Sequence, residues 1–311
     1  MNAPVMPNSP AAGRSEARTG KGRRGLGSYR LRQRFASQVV ARVLLVVLAL
    51  FFLSPIYWMI VSALKSPTEL AAFPPTLLPE RFRWENFVEA VNYIPFGRFL
   101  VNTLIIAVGC VLGAVCSNFV IAYGFSRLEW PGRDVIFYTV LASIFVFSLN
   151  EYPVTPITMM PLFVFFAQLG WVNTFLPIIV PTWFGNPFLI FLLRQFLLQI
   201  PQELSDAARV DGANEFQILS RVILPLSGPA LTIVAIFAFV GSWSNSMGPL
   251  IYLLDERLYT LSIGLHFFSS DHDVAWNLLM AASTLIVLPL IVVFLVFQRA
   301  FVTGIRVGGI K

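Results

Sequence analysis

Very little in this chain can carry covalent chemistry. There are 2 cysteines and 2 histidines among 311 residues. Cys110 and Cys116 both lie inside an apolar segment, at a spacing that keeps them from sharing a helix face closely. A disulfide framework is therefore not expected. His266 and His272 are too few for a His-rich ligand set, so no metal site is expected either. Charge is equally scarce: Asp, Glu, Lys and Arg make up 12% of the residues, against about 25% in an ordinary globular protein. That shortage speaks against a soluble enzyme and against a disordered chain. Phosphate-binding loops are missing as well. Gly20-Lys21 has Ser15 where a Walker A loop needs its first glycine, and Gly22 where it needs Ser or Thr. Leu226-Ser227-Gly228-Pro229 starts like the LSGGQ signature of transport ATPases, and Pro229 ends the likeness. No catalytic residue and no cofactor are expected on this chain.

What the chain has in abundance is apolar surface. Apolar residues make up 57% of it, and the mean hydropathy is +0.74. This composition is that of an all-α integral membrane protein. A spanning helix needs about 20 apolar residues, because the hydrocarbon core is roughly 30 Å thick. Charge-free runs cover Val43–Leu64, Phe99–Ser126, Val135–Asn150, Tyr152–Leu193, Val222–Leu254 and Val274–Gln298. The run from Tyr152 is too long for one span and carries six prolines, each of which removes a helix donor. It is split so that helix three ends near Thr158, Pro161–Gly170 forms a short half-buried piece, and helix four runs from about Pro177 to Leu198. Six transmembrane helices result.

Charge placement orients them. Residues 1–42 hold nine Arg or Lys and one Glu, while the rest of the chain holds 13 basic and 15 acidic residues. A basic tail directly before an apolar span reads as a cytoplasmic topology signal rather than a nucleic-acid arm. The tail, residues 1–42, is expected to be disordered, with the six-helix domain over residues 43–311. With the N-terminus inside, the inner segments carry 17 basic residues and the outer loops 5. Both termini are then cytoplasmic. The longest outer loop, from Lys65 to Arg98, is rich in proline and holds Trp84-Glu85-Asn86-Phe87, which suits a partly ordered external cap.

Between helices four and five lies an inner loop with helical signals, over about residues 200–225. Pro201 suits a first helical position, and Glu203 and Asp206 suit a helix N-terminus. Leu204, Ala207, Ala208 and Val210 make a small apolar face. Asp211-Gly212 is a turn signal. A second helix is expected over about Asn214–Leu224, with Phe216, Leu219, Val222 and Ile223 near helical spacing, and Pro225 marks the turn into helix five. Such a helix–turn–helix can transmit rigid-body motion from a soluble partner. Periodicity alone leaves open a loop that merely lies on the bilayer surface.

The spacing of this loop resembles the EAA loop of importer permeases of the ATP-binding-cassette (ABC) class. The family pattern is E-A-A, two residues, D-G-A, eight residues, then I-x-L-P. Here Asp206-Ala207-Ala208 is followed at the same spacing by Asp211-Gly212-Ala213 and then by Val222-Ile223-Leu224-Pro225. Asp206 replaces Glu and Val222 replaces Ile, both conservatively. The likeness covers most of the chain and is closest to the shorter, maltose-type permease subunits of carbohydrate importers. Asn102-Thr103, Asn173-Thr174 and Leu224-Pro225-Leu226-Ser227-Gly228-Pro229 belong to it. One departure stands at Trp243-Ser244-Asn245-Ser246, where the family often has W-N-D-F.

The resemblance implies a bacterial inner-membrane subunit that forms half of a solute pathway with a second permease. Two ATPase subunits, holding the ATP and Mg, would receive the loop around Glu203, Asp206, Ala207, Ala208, Asp211, Gly212, Ala213, Phe216, Leu224 and Pro225. An extracytoplasmic binding protein would deliver a carbohydrate, with di- and oligosaccharides favoured. Intramembrane Asn118, Asn150, Trp243 and Asn245 are the candidate pathway residues. For Asn118 and Asn150, glue between helices is the favoured reading, ahead of pathway lining. The alternative is a secondary carrier, which needs a protonatable relay inside the spans, and the spans carry almost no carboxylates.

Overall fold

The computed structural model describes residues 23–147, 156–268 and 274–307, with side chains over 38–144, 159–268 and 274–298. Every regular element among them is helical. The chain divides into two units, Met1–Tyr57 and Trp58–Lys311.

Helix α1, Arg23–Ala63, starts 20 residues before the expected span. The basic segment expected to be disordered through residue 42 is thus helical from Arg23. It contains no proline, and extending a helix that already exists avoids the cost of nucleation. Residues 1–22 lie outside the described residues. The segment expected to form a cap opens with the single turn α2, Pro67–Leu70, capped by Ser66. Helix α3, Glu85–Tyr93, follows and packs on the last helix of the chain. Asn86 fixes the cap. It is fully buried, its Nδ2 donates to the carbonyls of Ala63 and Lys65 at 2.8 and 2.9 Å, and its Oδ1 accepts from Asn277 at 3.2 Å.

Helix α4, Phe96–Ser126, is the post around which the second unit is built. It touches more elements than any other helix, and its small residues let them approach closely. A Cβ on Gly109 would sit 2.9 Å from the Ile179 side chain, and one on Gly113 would overlap the Trp183 indole. The Leu176–Phe184 segment seats there. It comprises α7, Leu176–Ile179, and a 3-10 turn, Val180–Phe184. Before it come α5, Arg133–Phe147, and α6, Pro156–Gln168. The sequence boundary at Thr158 is corrected: Pro156 starts α6, in the first-turn position where its missing N–H costs nothing, and Pro161 is carried inside that helix. The linking residues 148–155 are outside the described set.

Helix four is also not continuous. Gly185, at φ 92°, breaks it, and Asn186 caps the restart as α8, Pro187–Leu197, by accepting from the N–H groups of Phe188 and Leu189. Beyond the inner loop, α12, Gly228–Ser244, packs on α4, and α13, Met247–Tyr252, follows after a break at Asn245-Ser246. The short α14, Leu261–Gly264, and the long α15, Trp276–Val307, complete the chain. The charge-free run Val222–Leu254, expected to turn into helix five at Pro225, is thus built of three helical pieces. Its first leg meets α12 at 80°, turned at Ser227-Gly228-Pro229. Among the described residues, four helical stretches are long and apolar enough to cross a membrane: Gln38–Ala63, Phe96–Ser126, Leu176–Leu197 and Trp276–Gln298.

Candidate functional site

The inner loop folds as two short helical legs around a glycine. Helix α9 covers Glu203–Val210, with Glu203 and Asp206 in its first turn. It stops because Gly212 takes φ 85°. The Ala213 N–H then returns to the Ala208 carbonyl at 2.9 Å, and the Gly212 N–H to the Arg209 carbonyl at 3.0 Å. This pair of bonds is a Schellman closure, and only glycine takes that backbone without a penalty of roughly 1 kcal/mol.

The second leg opens with a capping box. The Asn214 side chain accepts from the Gln217 N–H, and Gln217 Oε1 accepts from the Asn214 N–H, both at 2.9 Å. Helix α10, Glu215–Gln217, passes into a π turn, Ile218–Ile223, and then α11, Leu224–Leu226. The expected plain helix is thus underwound to five-residue rungs, the Leu224 N–H reaching the Leu219 carbonyl. Pro225 supplies the reason. It cannot donate to the carbonyl four positions back, and the wider π turn gives its ring room. Pro225 itself lies inside α11, and the chain turns two residues later, at Ser227.

Charge locks the two legs together. Arg209 pairs with Asp206 at 2.8 Å and with Glu215 at 2.9 Å. Glu215 also accepts from the Tyr123 hydroxyl at 2.7 Å. The Tyr123 bond, ahead of the Arg209 charge, holds the Glu215 carboxyl below its ordinary pKa, against a smaller opposing effect of burial. Arg127 enters from the same end of α4. It donates to Gln202 Oε1 at 2.6 Å and to the Leu197 and Ile200 carbonyls.

The apolar groups of the loop divide into two sets. Ala208, Ala213, Leu219 and Val222 pack inward on the cluster of Tyr123, Leu193, Leu197, Ile218 and Ile223. Leu204, Ala207, Val210, Phe216 and Leu224 face outward, with Val210 88% and Phe216 75% exposed. The pair expected to form one small-residue surface is therefore split: Ala207 is outside and Ala208 is inside. Neighbouring helix positions differ by about 100°, which the loop's fit onto the core decides. The loop thus presents an exposed apolar knob on a charged, hydrogen-bonded frame.

Three of the four candidate pathway residues lie among the described residues, and each has a polar partner within the chain. Asn118 is fully buried; its Nδ2 donates to the Ala114 carbonyl at 2.5 Å and its Oδ1 accepts from the Asn186 N–H at 2.6 Å. It ties α4 to the restart of α8. Trp243 is 3% exposed, donates Nε1–H to the Ile286 carbonyl at 3.1 Å and packs on Phe239. Half-buried Asn245 accepts from the Gly248 N–H at 3.0 Å, capping α13. Asn118 and Trp243 are packing positions, because a buried amide or indole must spend its polar atoms on whatever backbone group lies nearest. Asn150 lies outside the described residues.

Two pairs that carry the resemblance, the buried Asn102-Thr103 and the half-buried Asn173-Thr174, hold loop backbone in place. Asn102 Nδ2 donates to the Arg257 and Tyr259 carbonyls at 2.9 Å each, and Thr103 Oγ1 accepts from the Leu261 N–H at 3.0 Å. Asn173, at φ 64°, accepts from the Leu254 and Asp255 N–H groups at 3.0 and 2.8 Å. Sequence reasoning passed over Asn86, Asn277, Tyr123 and Arg127. An asparagine or arginine at the edge of an apolar run was the available signal.

Comparison with known proteins places this architecture. The fold matches a solved chain described as a bacterial ABC transporter involved in the import of the acidic polysaccharide alginate. The TM-score is 0.73 at 24% identity, over 86% of this chain and 97% of that one. That likeness defines the class of fold, an all-helical one shared with that chain. Residues 120–307 match the family described as the binding-protein-dependent transport system inner membrane component. The trehalose/maltose transport system permease protein MalG of Thermococcus litoralis is 33% identical, over 88% of this chain and 98% of its own length. The diacetylchitobiose uptake system permease protein NgcG of Streptomyces coelicolor is 30% identical, over 89% of each chain. The chain belongs to the binding-protein-dependent transport system inner membrane component family: it is an inner-membrane permease subunit of an ABC importer, not a catalytic enzyme.

Proposed function

We propose that this subunit forms half of the pathway of a carbohydrate importer, and that the loop from Glu203 to Pro225 couples it to a separate ATPase. The observation that carries the reading is the outward apolar knob of Leu204, Ala207, Val210 and Phe216 on its locked frame. Exposed apolar groups of this size mark a protein interface. The relatives named for trehalose/maltose and diacetylchitobiose support an oligosaccharide as solute.

The full assembly in this reading has a second permease, two ATPase subunits holding the ATP and Mg, and an extracytoplasmic binding protein. Six spans with both termini cytoplasmic fit the 17-to-5 distribution of basic residues. Four spans are present as long helical stretches. The bent pair through α12 would make a fifth, and the sixth expected span, which ends near Thr158, runs through residues outside the described set. Closure of the ATPase pair pushes the loop and gives alternating access by rigid-body motion.

Purification from native membranes in mild detergent tests this reading. A second permease and an ATPase in stoichiometric amounts support it. A lone chain or homodimer without ATPase sinks it. Within the complex, Phe216→Asp and Ala207→Trp are expected to release the ATPase, and Gly212→Pro to uncouple hydrolysis from uptake.

A further inference from the structure

By chain order the coupling loop joins α8 to α12, so a push on it would act on those two helices. The contacts tell of a third. We propose that Tyr123 and Arg127 are positioning residues that fasten the loop to α4, so that α4 and the loop move as one body when the ATPase acts. The proposal rests on the importer reading above.

Arg127 is 6% exposed at the end of α4. Its Nη2 is aimed at the Leu197 and Ile200 carbonyls, and its Nη1 at Gln202, the residue that precedes α9. The last carbonyls of a helix have no partner within it, and a cation there is favoured by the helix dipole. One planar fork thus joins the end of α4, the end of α8 and the start of α9. Lysine has the charge but not the fork. Tyr123, one turn earlier and 4% exposed, donates to Glu215 in the second leg. Glu215 is held in turn by Arg209, and Arg209 by Asp206 in the first leg. Both legs are therefore tied to α4 through side chains that the chain order does not connect.

At its other end α4 holds a second segment. Asn102 and Thr103 bind the backbone of Arg257, Tyr259 and Leu261. Helix α4 is one unbroken helix of 31 residues, and from Asn102 to Arg127 it spans roughly 37 Å at about 1.5 Å per residue. A displacement of the loop is delivered along this rod to the Arg257–Leu261 segment, while the breaks at Gly185 and Asn245 leave α8 and α12 to hinge.

The test uses the whole importer, with its partner permease and ATPase, reconstituted in lipid. Spin labels go on Glu129→Cys, just past α4, and Arg221→Cys, on the coupling loop, in a background of Cys110→Ala and Cys116→Ser. The probes are the nucleotide-free state and the state trapped with MgATP and vanadate. The expected result is one label distance in both states. In Arg127→Lys combined with Tyr123→Phe the trapped distance shifts away from the free one. Tyr123→Phe alone keeps the ring and loses only the hydroxyl, and it shifts in the same direction without loss of assembled complex. A wild-type distance that itself changes on trapping overturns the proposal, as does a double variant whose two states still coincide. Absence of any ATPase from the purified complex is a different failure, and strikes the importer reading instead.

Discussion

Helices α1 and α4 are equally hydrophobic and fare in opposite ways. Their best windows have mean hydropathies of 2.6 and 2.5, yet 0% of the α1 window is buried and 39% of the α4 window. Hydropathy decides that a helix enters a bilayer. It does not decide what the helix packs on, because lipid tails are as apolar as leucine. The difference lies in the residues that a hydropathy scan penalises. Between Gln38 and Ala63, α1 has no glycine and no asparagine. Helix α4 has Gly109 and Gly113 for close approach, and Asn102, Thr103 and Asn118 to bind backbone groups of other segments.

This contrast can be attacked by substitution. The largest effect is expected from Gly113→Leu, which drives a side chain into Trp183 and Thr182. Overpacking of this kind costs about 3 kcal/mol, and we expect loss of the folded subunit from detergent extracts. Asn118→Leu comes next. It leaves the Asn186 N–H without its acceptor, at a cost of about 2 kcal/mol, read as a lower unfolding midpoint with normal membrane insertion. Thr103→Val removes the acceptor of the Leu261 N–H and should cost about 1 kcal/mol, with faster proteolysis near Arg257 as the local sign.

A smaller effect depends on pH. The Tyr123 hydroxyl and Arg209 depress the Glu215 pKa, so their stabilisation is present above the unfolded pKa of Glu215 and is lost as pH falls through its lower folded value. Tyr123→Phe should thus lower the unfolding midpoint at neutral pH and match wild type in acid. A gap that persists in acid would show that the hydroxyl matters for packing alone. Smallest of all, Ala49→Leu on the exposed face of α1 should stay within about 0.5 kcal/mol of wild type. A large loss there would mean that α1 is packed as tightly as α4.

The same contrast explains what could be read from the residues alone. The turn at Asp211-Gly212 was legible because a left-handed backbone leaves glycine as its signature. So was the apolar character of the spans, since the bilayer imposes length and composition. The break before α8 had its signal in Gly185-Asn186-Pro187, a positive φ, a cap and a first-turn proline in succession, which a long charge-free run conceals. Trp243 and Asn118 were not legible. Whether an indole or amide faces a pathway or a neighbouring carbonyl depends on which helix lies beside it, here Ile286 of α15 and Asn186 before α8. Tyr123 and Arg127 were missed for the same reason, as their partners lie 92 and 75 positions away.

The π turn at Ile218–Ile223 has a consequence for how this loop can vary. A π rung holds one residue more than an α rung, so the turn acts as a phase shifter between the docking knob and α12. Deleting a single residue within it would restore ordinary α rungs and swing Phe216 by about 100° about the leg's axis. The knob would then point elsewhere while every side chain of the knob stayed the same. An insertion or deletion in this leg therefore changes the direction of the knob without changing its composition.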